Sequence, residues 1–145
     1  GLDYVCQTLA KAIVRDGEGA SKLIEVRLRG AASTEDAKVA ARAVTASNLV
    51  KTAIYGSDPN WGRILTAVGY SGARVDQSRV DIAVGDIPLV VEGEIARFDA
   101  QAASAALRGP DVLVTVDLHL GEGAATAWGC DLSEEYVRFN AKYTT

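Results

Sequence analysis

The chain has 145 residues, 48% of them hydrophobic and 23% charged, enough to bury one core without disulfides or metal and ordinary for a globular domain. A net charge of −4, with no basic stripe interleaved with aromatics, excludes a nucleic-acid surface. No apolar run approaches membrane-spanning length, and no signal-peptide pattern opens the chain.

Gly1 stands where a Met would, so further residues are expected upstream. Leu2, Val5, Cys6, Leu9 and Ile13 fall on one face of a predicted helix that stops at Asp16-Gly17. Ile24, Val26 and Leu28 then alternate with Glu25, Arg27 and Arg29, the pattern of a half-buried strand. Ser33 supplies an N-cap with acids in the first turn, and Ala37, Ala40, Ala41, Val44 and Asn48 lie on one face of a long helix. An extended piece over Leu49–Tyr55 leads to the loop Gly56–Trp61 and a short helix near Arg63–Val68.

Val80, Ile82 and Val84 read as a strand, and Leu89–Ile95 as another, with Pro88 favouring an edge. Phe98, Ala102, Ala105 and Ala106 make a helix ended by Gly109-Pro110. Val112 to Leu120, the turn Gly121-Glu122-Gly123 and Ala124–Leu132 read as a hairpin. Ser133 caps a final helix, with Tyr136, Phe139 and Tyr143 disposed to dock the C-terminus against the body. The expected fold is a single α/β domain of the α+β type over residues 1–145, with helices packed on a mixed or mainly antiparallel sheet.

The candidate chemistry is sparse. Asp16-Gly17-Glu18-Gly19 projects the Glu18 carboxylate from a turn; composition alone favours a solvated glutamate. Asp58-Pro59-Asn60-Trp61-Gly62-Arg63 has two readings. Either Trp61 walls a pocket while Arg63 pairs a carboxylate, or the segment is a rigid corner in which Trp61 plugs the core and Arg63 ties down loop carbonyls or Asp58. Gly121-Glu122-Gly123 lacks the Lys and Ser/Thr of a phosphate loop and reads as a turn. His119, the only histidine, has no partner at a recognisable spacing and reads as an exposed strand residue. Cys6 and Cys130 read as two buried thiols, neither a disulfide nor a metal pair, pointing to a reduced, cytoplasmic setting. No zinc pattern or nucleophile elbow occurs, so no self-sufficient active site is present.

Four ordered blocks carry a resemblance. Arg15-Asp16-Gly17-Glu18-Gly19-Ala20, then Leu49–Ala53 with Asp58–Ile64, then Gly123–Leu132 with Trp128-Gly129-Cys130-Asp131, and the closing Asn140–Thr145 resemble the glutamate N-acetyltransferase/ornithine acetyltransferase family over essentially the whole chain. The resemblance implies the C-terminal part of the β chain of a self-cleaving precursor, within that family's layered sandwich fold. It implies a nucleophilic threonine at the β-chain N-terminus, upstream of this sequence, so no catalytic residue is expected here and this piece alone is expected to be inactive. The implied reaction moves an acetyl group from N-acetylornithine to glutamate through an acetyl-threonine intermediate, with an oxyanion hole from the α chain.

By motif, Glu18, Asn140 and Thr145 match the family's substrate-binding residues. A substrate bearing an amine and a carboxylate suits one fixed negative partner and two neutral hydrogen-bonding groups. No metal or cofactor is implied, with acetyl-CoA an open question as second acetyl donor. The implied partners are the α chain of the same precursor and the small-molecule substrates, in an α2β2 or higher oligomer in the cytoplasm, without nucleic acid or membrane. Two alternatives stay open: a family paralogue serving a secondary-metabolite pathway, and a non-catalytic fragment acting as a scaffold. An Ala/Gly-Thr cleavage junction upstream separates enzyme from scaffold.

Overall fold

Period-two alternation is satisfied by a sheet that buries one face, and six segments of this chain form such a sheet. In this computed structural model, which describes residues 2–15 and 21–133, the strands are β1 (Leu23–Ala31), β2 (Asp81–Val84), β3 (Ile87–Val91), β4 (Glu94–Ile95), β5 (Asp111–Asp117) and β6 (Gly123–Cys130). Their order is β4-β3-β2-β5-β1-β6. Only β1 and β5 run parallel; the other pairs are antiparallel. The mixed, mainly antiparallel sheet expected from sequence is what forms.

The helices are α1 (Leu2–Arg15), α2 (Thr34–Ala46), α3 (Asn48–Tyr55), α4 (Trp61–Gly69) and α5 (Ala100–Ala106). Ile24, Val26 and Leu28 of β1, Val112, Val114 and Val116 of β5, and Ile82 and Val84 of β2 are buried. They share one core cluster with Ala37, Ala40, Ala41 and Val44 of α2 and Val50 and Ile54 of α3. Alanines at the α2 contact let the helix approach closely: a Cβ on Gly129 of β6 would lie 3.1 Å from Thr45.

The opposite face of the sheet carries Glu25, Arg27, Arg29, Asp117 and Trp128. Helix α1 crosses it at the β6 edge, where Lys11 sits 5.3 Å from the Trp128 ring centroid and 3.4 Å from Glu25. Its predicted apolar stripe does not face the sheet: Leu2, Val5, Leu9 and Ile13 are all exposed.

Further expectations are corrected. The segment Leu49–Tyr55 is helical, because Ser47 Oγ accepts from Val50 N–H and buried Val50, Ala53 and Ile54 recur at helical spacing. Ser47 also ends α2, so Asn48 opens the next helix. Pro88 lies in β3 opposite Ala83 of β2, beside a shift in the β2–β3 register, while β4 pairs with Val90 and Val91 farther along the strand.

The hairpin does not form either, because β1 lies between β5 and β6 and occupies the ladder edges that they would share. The connection crosses the end of β1, with Leu120 N–H donating to Gly30 O at 2.7 Å and Gly121 N–H at 3.0 Å. Finally, Cys6 is exposed and Cys130 half-buried, so the two are not a pair of buried thiols; both are free. The helix predicted after Ser133 lies outside the described residues, where Tyr136, Phe139 and Tyr143 also fall.

Candidate functional site

At one end of the sheet the start of β1 meets the end of β6. Asp131, directly after β6, is only 3% exposed. Its Oδ1 accepts from the backbone N–H groups of Ser21, at 2.8 Å, and Lys22, at 2.9 Å, while Oδ2 accepts from the Ser21 hydroxyl. Asp131 N–H returns a bond to Lys22 O at 3.2 Å. A buried carboxylate is tolerated only when its lone pairs find donors, and this one is satisfied almost wholly by two consecutive residues.

Lys22 extends the junction. Its ammonium donates to Ile54 O at 2.7 Å and to Ser57 Oγ at 3.0 Å, at the C-terminal end of α3, where helix carbonyls lack intrahelical partners. Burial pulls the Lys22 pKa below its ordinary value, and the charge of Asp131 opposes that shift. Leu132 N–H donates to Lys51 O at 3.3 Å, so β6, β1 and α3 are tied together here.

The Asp58–Arg63 segment is the next feature. Asn60 Oδ1 caps α4 by accepting from Arg63 N–H at 3.1 Å, and its amide donates to Asp58 at 3.1 Å. Arg63 Nη1 donates to Leu49 O at 2.9 Å and Thr52 Oγ1 at 3.3 Å. Of the two sequence readings, the rigid corner describes Arg63: it ties down α3 and, among the described residues, pairs no carboxylate. Trp61 is half-buried against the core and lines an open cavity of about 580 Å³ together with Leu65, Thr66, Tyr70 and Val75. A second depression of about 620 Å³ lies on the other side of α4, lined by Leu49, Asn60, Arg63 and Tyr70.

A third cluster lies at the opposite end of β1. His119 is exposed, as expected, but it follows β5 instead of lying within it, with φ of 52°. Its Nε2 is 2.7 Å from Asp81 Oδ2 and its Nδ1 3.5 Å from Asp117 Oδ1, which is in turn paired with Arg29. The Asp81 hydrogen bond raises the His119 pKa above its ordinary value, with the charges of Asp117 and Asp81 adding to it against partial burial. Among the described residues no group of three or more His, Cys, Asp or Glu is placed to hold a metal, and no helix is long and apolar enough to cross a membrane.

The three residues that the sequence singles out for substrate binding, Glu18, Asn140 and Thr145, lie outside the described residues. What the structure does place is the chain that follows Glu18 and the chain that precedes Asn140. Ser21 follows the Glu18 segment and Asp131 precedes the Asn140–Thr145 segment, and the two are directly bonded. In the sequence Asp131 is only a member of the Trp128–Asp131 block. The available signal is an acidic residue at a strand end with no charged partner nearby in the chain.

Comparison with known proteins follows the same lines. The relatives include the arginine biosynthesis bifunctional protein ArgJ of Symbiobacterium thermophilum, 58% identical over 94% of this chain and 34% of its own length. That of Thermus thermophilus is 56% identical over 100% of this chain and 38% of its own. The chain thus spans a little over a third of the length of the curated relatives it matches. Among solved structures, that of arginine biosynthesis bifunctional protein ArgJ from Bacillus halodurans superposes with a TM-score of 0.95 at 50% identity, covering 98% of this chain and 67% of that one. The model of the ArgJ family matches residues 1–145, and the chain belongs to that family.

Proposed function

We propose that this chain is the C-terminal part of the β chain of an acetyltransferase of arginine biosynthesis, and that it supplies Glu18, Asn140 and Thr145 to the substrate pocket. Family membership supports the reaction class, and the relatives' name supports the pathway. The observation that carries the pocket is the Ser21–Asp131 junction: it brings the chain just after Glu18 against the chain that leads to Asn140 and Thr145.

In this reading the hydroxyl of a threonine on the longer protein attacks the acetyl carbonyl of N-acetylornithine. A C–O bond forms, the C–N bond breaks, and the threonine proton passes to the departing amine of ornithine. The α-amine of glutamate then attacks the acetyl ester, a C–N bond replaces the C–O bond, and the proton released by the amine restores the threonine hydroxyl. The threonine's own α-amine serves as the base. Glu18 holds an amine of the ornithine moiety, and Asn140 and Thr145 complete the polar lining. The word bifunctional in the relatives' name leaves room for a second activity, and acetyl-CoA is the proposed second acetyl donor, for N-acetylglutamate synthesis. The enzyme assembles in the cytoplasm as α2β2 or larger, with the α chain of the same precursor.

The test is acetyl transfer from N-acetylornithine to glutamate by the complete protein. Glu18→Gln should lower kcat/KM by roughly 100-fold, the scale of one lost charged hydrogen bond in a dry site. Removing Thr145 should raise KM for N-acetylornithine. Wild-type kinetics in both variants reject the pocket assignment.

A further inference from the structure

An amphipathic helix normally turns its apolar stripe toward the core, and helix α1 does the reverse. Among its described side chains only Ala10 and Lys11 are not exposed. Lys11 reaches the Glu25 carboxylate and the Trp128 ring, and Glu25 also accepts from Trp128 Nε1 at 2.7 Å. The side of α1 against the sheet is therefore held by a small residue and a charged one. At helical spacing Leu2, Val5, Cys6, Leu9 and Ile13 lie across the helix from Lys11. Leu2 is 78% exposed, Leu9 57% and Ile13 74%. An uncharged stripe running the length of a helix marks a surface that another element covers.

The covering element is argued from how much polypeptide the protein has elsewhere. The chain spans 34% and 38% of the Symbiobacterium and Thermus relatives. The Bacillus halodurans structure superposes on 98% of this chain, yet only 67% of its own chain is matched. Members of the family thus fold with further polypeptide, which meets the stripe at a higher effective concentration than any separate molecule does. A lipid surface fits less well. An interfacial helix offers basic residues along its polar face, and here Lys11 is taken up by the sheet.

We infer that the apolar stripe of α1 is an internal interface of the longer protein. An apolar surface from outside these 145 residues packs on Leu2, Val5, Leu9 and Ile13, which makes α1 a middle layer between this sheet and the remainder of the molecule. The inference stands apart from the acetyl-transfer reading and holds or fails whatever reaction the protein performs.

The experiment uses the complete protein and its native Cys6, a free thiol on the stripe. Modification by N-ethylmaleimide, followed by peptide mass spectrometry, should be at least about 100-fold slower in the folded protein than in urea. A rate within about threefold of the unfolded one would overturn the inference. So would protection that appears only when anionic lipid vesicles are added. Photo-crosslinking then identifies the occupant. With p-benzoylphenylalanine in place of Leu9, irradiation should join α1 to a peptide from outside these 145 residues. A crosslink to a second copy of α1 would replace the inference with self-association, and one to the sheet of the same chain would mean that the helix is turned inward. If the Leu9 variant does not fold, the same probe replaces Val5, and the Cys6 measurement needs no substitution at all.

Discussion

Gly30 and His119 occupy the same corner of the sheet and depend on backbone conformations that few residues adopt. Gly30 has a φ of 71°, and a Cβ there would lie 2.1 Å from Asp117 Oδ1 and 2.7 Å from His119 N. Gly30→Ala should therefore destabilise by at least about 2 kcal/mol. Gly69→Ala, where a Cβ meets nothing within 4 Å, should be neutral or stabilise by up to about 1 kcal/mol. Urea midpoints compare the two; equal effects would refute the steric account. His119 makes a pH-dependent contribution. Its folded pKa is raised by the Asp81 hydrogen bond first, with the Asp117 and Asp81 charges adding. The contribution is full below the unfolded value of about 6.5 and fades as pH rises through the folded one. His119→Gln should thus cost stability at about pH 6 and little at about pH 9, and thermal melts at the two pH values check the sign. None of this corner is legible in the sequence, because Asp81 and His119 lie far apart in the chain and their pairing exists only through β2, β5 and the crossover. The Asp58–Arg63 block is legible as a motif, but the partners of Arg63 are not.

Elements whose pattern is local are read directly. Ile24, Val26 and Leu28 announce β1, and Ala37, Ala40, Ala41 and Val44 announce α2, since burial on one face imposes the period of each element. The short apolar run Leu49–Tyr55 fits strand or helix equally, and the Ser47 cap decides it. Ser47 is a hinge for two helices: its N–H donates to Val44 O at the end of α2 and its Oγ accepts from Val50 N–H at the start of α3. Ser47→Ala should cost about 1 kcal/mol by lowering the denaturant midpoint with the slope unchanged; no change would mean that the cap is satisfied otherwise. Strand order escapes such patterns. Alternation in Val112–Leu120 and Ala124–Leu132 marks two strands and says nothing of the strand between them. The insertion of β1 follows from its parallel register with β5, Ile24 against Val112 and Leu28 against Val116.

At the scale of the whole molecule, the chain provides one mixed sheet whose helix-covered face is a closed core and whose end carries the Asp131 junction. Ser21, which follows the Glu18 segment, and Asp131, which precedes the Asn140–Thr145 segment, meet there, and that meeting is the ground on which the two segments are proposed to serve one pocket. This chain covers 34% and 38% of the Symbiobacterium and Thermus relatives, and the proposed mechanism places the attacking threonine outside it. The most direct measurement is a crystal structure of the complete protein with N-acetylornithine bound. The Glu18 carboxylate should lie within hydrogen-bonding distance of an ornithine amine, with Asn140 and Thr145 on the wall of the same pocket. A ligand seated elsewhere, or Glu18 in a different cleft from Asn140 and Thr145, would contradict the assignment.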